Sequence, residues 1–203
     1  MMERANLVKV AWLSVLLGLG MELALVTAAA GFGKFPGVNA ILADTVQKVS
    51  WAFIVCTGLA VGIRFAKARE AAMGSAGLLA GPIGFSVARA LHKSATQALG
   101  AVGPTGGVPT PMTMAALKAV EYAWLGVALA CLAKRKAGVG AYAGIGLVTG
   151  AIFAGLVIWL SFGVPAEPPM VSLVSKGMNE LLFPVGCSLV IFAAEAAGRK
   201  VHS

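Results

Sequence analysis

The sequence predicts an all-α fold, a polytopic bundle of about six membrane-spanning helices, from its composition and from the length of its apolar segments. Of the 203 residues, 59% are hydrophobic and 12% are charged, whereas soluble domains carry about 25% charged residues. Mean hydropathy is +0.87. Six segments reach the roughly 20 residues that a helix needs to cross a hydrocarbon core about 30 Å thick. We therefore expect residues 1–203 to form a single integral membrane domain surrounded by the lipid bilayer.

The predicted spans are separated by Gly, Pro or clustered charges, which mark breaks between helices. They cover residues 5–30, 41–66, 71–91, 111–133, 139–163 and 171–196. Little chain remains outside them, so we expect the membrane bundle or its short loops to carry the function. The sequence shows no Gly-rich phosphate loop and no nucleic-acid module, and we expect no nucleic acid among its partners.

The first span has an alternative interpretation as a secretory signal peptide. Arg4 and Lys9 precede an apolar run that ends in Ala28-Ala29-Ala30, which resembles a signal-peptidase site. The run is longer than a typical signal-peptide core and contains Glu22. A membrane helix is therefore the better interpretation.

The net charge of +8 predicts the orientation of the chain. With a cytoplasmic N-terminus, ten of the sixteen basic residues fall on the inner side. They are Arg4, Lys9, Arg64, Lys67, Arg69, Lys134, Arg135, Lys136, Arg199 and Lys200. Because Lys and Arg collect at cytoplasmic ends, we expect both termini to be cytoplasmic and the protein to lie in a bacterial cytoplasmic (inner) membrane.

Glycine stripes in the third and fifth spans predict close packing between helices. In each stripe the glycines are mostly three or four residues apart, so another backbone can approach them. The third span contains Gly74, Gly77, Gly81 and Gly84, and the fifth contains Gly140, Gly144, Gly146 and Gly150. Some of these stripes could instead contact a second copy of the chain or partner helices in a membrane complex.

Two further patterns are typical of transporters but also occur in structural subunits. Pro82 and Pro184 lie well inside the third and sixth spans, where proline removes an amide donor and bends the helix. Residues 47–91 can be aligned with residues 117–161, which indicates possible internal helix-hairpin repeats. Bent helices and repeats both recur in transport proteins.

The second, fourth and sixth spans each begin with an acid and a base on neighbouring helical turns. The pairs are Asp44 with Lys48, Lys118 with Glu121, and Lys176 with Glu180. Spacings of three or four residues place both members of a pair on one helix face. Counted from the span ends, Glu22 and Arg89 lie at similar depths. The sequence therefore predicts a charged layer in the outer leaflet.

Glu22 favours a functional interpretation of this layer over a structural one. Lysines near helix ends can extend their ammonium groups into the headgroup region, with a nearby acid compensating the charge. Glu22, however, lies about two-thirds of the way across the first span without a base within four residues. An isolated buried charge is too costly, so Glu22 must meet water, bind a proton or pair across the bundle. The candidate bases are Lys48, Lys118, Lys176 and Arg89.

We therefore expect the layer to face inward and to line a site for a small solute. The predicted site residues are Glu22, Asp44, Lys48, Arg89, Lys118, Glu121, Lys176, Asn179 and Glu180. Asn179 and Tyr122 would add neutral hydrogen bonds to the site.

The sequence predicts no cofactor and no metal site. His92 is the one histidine near the membrane, so a haem held by two histidines is not expected. Cys56, Cys131 and Cys187 lack Cys-x-x-Cys spacing and are expected to be small, buried, apolar residues. Methionines near the outer helix starts would suit Cu(I), but methionine is also a common apolar filler. No hydrolase motif accompanies the serines.

These patterns predict a transporter or channel for a small polar or charged solute. The main alternative is a non-catalytic membrane subunit that docks partner helices through its glycine stripes and charge pairs. An enzyme acting on a lipid is less favoured, because the charged layer would have to open sideways at headgroup depth. A hydrated cavity reaching the layer would favour the transporter, and a sealed layer would favour the subunit.

Overall fold

A computed structural model describes residues 4–63, 68–101, 110–162 and 170–200. These residues form six α-helices, so the predicted all-α membrane bundle is confirmed. The helices are α1 (Arg4–Gly31), α2 (Val38–Gly62), α3 (Arg69–Ala98), α4 (Pro111–Lys134), α5 (Val139–Phe162) and α6 (Met170–Lys200). Each contains a segment long and apolar enough to cross a membrane, which makes the chain an integral membrane protein. The predicted inner-side residues Arg64 and Lys67 lie outside the described residues.

Local sequence signals account for two of the helix ends. α4 begins at Pro111 after Thr110, whose hydroxyl accepts a hydrogen bond from the Thr113 amide at 3.2 Å. Proline at a first helical position loses only an amide that has no helical partner. α3 continues to Ala98, past the predicted end at residue 91. Gly100 then adopts a φ of 62°, a conformation that glycine accepts without strain.

Helices α2, α4 and α6 form the centre of the bundle. α2 packs against α1, α3 and α6, whereas α4 packs against α3, α5 and α6. α6 also contacts α1 and α5. We call the end at which α2, α4 and α6 begin the outer end, following the predicted orientation, and the opposite end the inner end. The three central helices therefore enter the bundle from the same side.

The outward faces of the helices carry large apolar side chains. Trp12, Leu23 and Trp159 are each at least two-thirds exposed. Exposed apolar patches of this kind are unusual in water but match the hydrocarbon interior of a bilayer. The outer surface of the bundle is therefore suited to contact with lipid.

Glycines bring α3 and α4 together at backbone distance, as the third-span stripe predicted. A Cβ at Gly77 would collide with the backbone of Tyr122, and a Cβ at Gly81 would collide with the backbone of Lys118. Gly126 of α4 lies equally close to the backbone of Met73. Small residues allow this approach because no side chain separates the helices.

The fifth-span stripe is divided between two surroundings. Gly146 and Gly150 pack against the α6 backbone. A Cβ at Gly140 or at Gly144 would meet no atom within 4 Å, so these two glycines do not contribute to packing between the described helices.

The two hairpins aligned in sequence also differ, because α2 packs along α3 whereas α4 and α5 contact each other sparsely.

Candidate functional site

Charged side chains from three helices lie at one depth inside the bundle. Lys48, Glu121 and Glu180 are each the eleventh residue of their helix, α2, α4 and α6 respectively. At 1.5 Å per residue they lie about 15 Å along the helix axis from the outer end. All three are buried. The layer is therefore close to the middle of the 24-residue α4 rather than at the helix starts.

Lys118, Glu121 and Glu180, which we call the central cluster, join α4 to α6. The Lys118 Nζ atom lies 2.7 Å from Glu121 Oε2 and also forms an ion pair with Glu180 Oε2. The side chains of Lys118, Glu121 and Glu180 are 5%, 0% and 7% exposed. The pair Lys118–Glu121 forms as the helical spacing indicated, and Glu180 adds a second acid from another helix.

Two aromatic rings lie close to the ammonium group of Lys118. Its Nζ atom lies 5.6 Å from the ring centroid of Trp51 and 5.8 Å from that of Tyr122. Trp51 also makes edge-on contacts with Tyr122, Phe85 and Phe183. A cation near an aromatic ring is stabilised by the ring quadrupole. Trp51 was not among the predicted site residues, although it lies three residues after Lys48 on α2 and thus on the same helix face.

A second group of four residues, the outer cluster, joins α1, α2 and α3. Glu22 Oε2 lies 2.6 Å from Lys48 Nζ, and Asp44 Oδ1 lies 2.9 Å from His92 Nε2. Side-chain exposure rises from 8% at Glu22 and 11% at Lys48 to 17% at His92 and 41% at Asp44. Lys48 is therefore the base that compensates Glu22. The expected Asp44–Lys48 pair does not form, because each residue pairs with a different helix.

Three other predicted site residues lie outside these clusters. Arg89 is exposed on α3 and forms no ion pair with a described residue. Asn179 is partly buried without a side-chain hydrogen bond to a described residue. Lys176 is partly buried one turn before Glu180 and makes an interaction of its own. The structure thus brings six of the nine predicted residues into the two clusters.

Backbone contacts from α3 and α5 support the central cluster. Gly81 of α3 touches the carbonyl of Lys118, and Gly150 of α5 touches the carbonyls of Leu181 and Glu180. Pro184 lies inside α6. Because proline has no amide hydrogen, the Glu180 carbonyl lacks its usual helical donor four residues later.

Two cysteines contact each other between α2 and α6, on the inner side of the central cluster. The Cys56 Sγ of α2 is 3.1 Å from the Cys187 Sγ of α6, and both residues are fully buried. Cys187 is two helical turns beyond Glu180 on α6. The expectation that all three cysteines are buried is wrong for Cys131, which is exposed on α4.

Ion pairs also close the inner end of the bundle. Arg69 Nη2 of α3 lies 2.9 Å from Glu195 Oε1 of α6, and Glu70 of α3 pairs with Lys134 of α4. Two hollows on the surface of the bundle lie away from the central and outer clusters. One lies between α1 and α6 and the other between α2 and α3. Neither hollow is lined by a residue of the central or outer cluster.

Comparison with models of known protein families, with curated proteins and with solved structures gave no match. Any function must therefore be inferred from the two clusters. Chemically, carboxylates and an ammonium group can bind small charged species and exchange protons. Within the described ranges, no group of three or more His, Cys, Asp and Glu side chains is arranged to hold a metal ion.

Proposed function

We propose that this protein transports a small charged or polar solute and that the central cluster is its binding site. The observation that carries the proposal is the ion pair between Lys118 and Glu180, which crosses from α4 to α6 with both side chains buried. Buried ion pairs are poor stabilisers, because apolar residues of similar volume often hold helices together as well or better. Ionisable residues inside membrane segments are accordingly associated with function.

Neither of the two surface hollows reaches the buried central cluster, which is the arrangement expected of a docking subunit. In the transport proposal, the same arrangement corresponds to a closed state. The Asp44–His92 pair lies on the outer side of the central cluster, and the Arg69–Glu195 pair lies at the inner end. Opening one pair at a time would expose the central cluster to one side of the membrane. α6 is suited to such movement, because Pro184 has already removed one helical hydrogen bond beside Glu180. Transport by alternate exposure of a fixed central site is common in membrane proteins.

The proposal includes the orientation and the membrane expected from the sequence. Both termini face the cytoplasm of a bacterial cell, and the chain lies in its inner membrane. The basic residues Lys134, Arg135 and Lys136 support this orientation, because they follow one another at the inner end. The Asp44–His92 pair of the outer cluster then lies toward the cell exterior.

Flux through the purified protein in lipid vesicles would test the transport function. Gradients of protons, sodium, potassium and ammonium would be applied separately and followed with trapped fluorescent indicators. We expect Glu121→Gln to abolish the flux that the wild type supports. The matched control is Glu70→Gln, which makes the same chemical change in a surface ion pair at the inner end. Equal flux through both variants would contradict a role of the central cluster in the transport pathway.

A second function, docking of partner helices, is favoured by the outward face of α5. Gly140, Gly144 and Gly155 have open space around them, and all three are exposed. Small residues on a lipid-facing helix permit close approach of another helix. Purification in mild detergent would test this function. A partner that co-purifies with the wild type and is lost from Gly144→Leu would support docking, provided that the variant remains folded.

A further inference from the structure

We propose that the central cluster holds one proton, bound at the carboxyl group of Glu121, and that this proton is the ion that the protein exchanges. The inference deepens the proposed transport function and rests on it for the exchange. The presence of the proton can be tested separately.

The composition of the cluster is unbalanced. Glu121 and Glu180 both form their ion pair with the same base, Lys118. With all three groups ionised, two negative charges face one positive charge, and all three side chains are buried away from solvent. Two neighbouring carboxylates in such surroundings ordinarily share a proton, because both cannot remain ionised without a large cost.

The free oxygen of Glu121 identifies where this proton can reside. Glu121 is fully buried, and its Oε2 atom contacts Lys118. Its Oε1 atom is also buried and has no hydrogen-bond partner among the described residues. An unpaired carboxylate oxygen carries a large desolvation penalty. Binding a proton removes the charge that makes this penalty large.

The surroundings suit a proton better than a metal cation. Hard cations require several oxygen ligands, typically about six or more. Lys118 already occupies the position between the two carboxylates. The neighbouring side chains are the rings of Trp51 and Tyr122, which offer few oxygen donors. A proton needs no coordination shell and can bind the oxygen of Glu121 that Lys118 leaves free.

Other ionisable groups that face the cluster come from several helices. Tyr122 of α4 and the thiols of Cys56 and Cys187 lie nearby, and Lys176 precedes Glu180 by one turn. Lys48 of the outer cluster lies one turn before Trp51 on α2. α3 and α5 approach the cluster with their backbone at Gly81 and Gly150.

Release of the proton changes only the protonation state of Glu121. A carboxylic acid in the cluster gives one carboxylate and one proton, which passes to water when the cluster opens. The remaining pair of carboxylates with Lys118 then carries the excess negative charge until a proton returns. The step involves no redox change and requires no other reactant.

Infrared spectroscopy of the purified protein at neutral pH would test whether the proton is present. A protonated carboxyl group gives a carbonyl band, separate from carboxylate and amide bands, that shifts in deuterated water. We expect this band in the wild type and expect its loss in Glu121→Gln and in Glu180→Gln. Glu70→Gln should retain it, and Glu22→Gln should retain it because Glu22 has Lys48 to itself. Lys176→Gln should also retain the band, because Glu180 forms its ion pair with Lys118.

Two further results keep the test decisive. Solid-state NMR of wild-type protein labelled at glutamate carboxyl carbons would report a protonated glutamate without any substitution, in case a variant fails to fold. A wild type without the infrared band and without the NMR signal would overturn the inference. A signal that disappears when sodium is added at constant pH would assign the site to a metal cation instead.

The proton and the transport function can fail independently. A carboxyl band without any ion flux in vesicles would leave the proton in place as a structural one and would contradict transport. Flux without the band would leave transport in place and would contradict the proton. Flux of protons together with a band that Glu121→Gln removes is the result that we expect.

Discussion

Gly81 of α3 lies directly against the backbone carbonyl of Lys118 of α4, the base at the centre of the buried charged cluster. The position of Lys118 therefore depends on a residue that has no side chain and no charge. A methyl group at residue 81 would meet this carbonyl and would push α4 away from α3. The packing of the helices and the geometry of the ion pairs are thus connected at one contact.

The first prediction is that Gly81→Ala destabilises the folded protein. Overpacking a close contact typically costs about 1–3 kcal/mol, so the thermal transition in detergent should fall by several degrees. Gly155→Ala is the matched control, because a Cβ at this α5 residue meets no atom within 4 Å. Equal transitions for the two variants would contradict the close packing of α3 and α4.

The second prediction concerns the pair between Glu22 and Lys48. Removal of one partner from a buried ion pair costs about 3–5 kcal/mol, because the other charge remains uncompensated. We expect Glu22→Gln combined with Lys48→Gln to destabilise the protein less than the sum of the two single changes. The expected coupling is about 0.5–3 kcal/mol in thermal or chemical unfolding. The effects of Glu22→Gln and Lys176→Gln on stability should be additive. Coupling between these two changes would contradict the pairing of Glu22 with Lys48.

The third prediction is that Cys56 and Cys187 can be cross-linked without any engineered residue. Their sulfur atoms are 3.1 Å apart on α2 and α6. A membrane-permeant oxidant such as diamide should join them, and a peptide map of the oxidised protein should contain the linked α2 and α6 fragments. Cys131 serves as the internal control, because it is exposed on α4 and should remain free within one chain. Linkage of Cys131 in preference to the other two would contradict the packing of α2 on α6.

The fourth prediction concerns orientation. In a variant with the three native cysteines replaced, a cysteine at residue 138 should be shielded from an impermeant reagent outside intact cells. A cysteine at residue 37 should react, because Gly37 precedes α2 at the opposite end of the bundle. Gly138 lies in the turn between α4 and α5, next to the basic residues of the inner end. The reverse labelling pattern would invert the proposed topology.

The helices were predictable from the sequence because lipid imposes a strict requirement on length and polarity. The main boundary error was at α3, where the helix continues through Lys93 to Ala98 with Lys93 exposed. Hydropathy does not distinguish the end of a membrane segment from the end of its helix. The extra turns bring His92 beside Asp44, a contact that the shorter predicted span did not indicate.

The site was only partly predictable, because spacing along one helix gives no information about neighbouring helices. Lys118–Glu121 forms within α4 as the spacing indicated. Asp44 and Lys48 have the same type of spacing, yet each pairs with a side chain of another helix. Lys48 was one of four possible partners for Glu22, since depth alone could not choose among them. Arg89 has the expected depth but lies on an exposed face of α3.

The proline in α6 makes the start of this helix and the Glu180 backbone move by different amounts when the helix bends. Met170 lies about 21 Å from Pro184 along the axis, whereas Glu180 lies only about 6 Å from it. A bend of about 10° at this turn would move the helix start by nearly 4 Å and the Glu180 backbone by about 1 Å. A displacement of about 1 Å is enough to break a hydrogen-bonded ion pair. α6 would then act as a lever that couples a large movement at the membrane surface to a small, decisive change in the contact between Glu180 and Lys118.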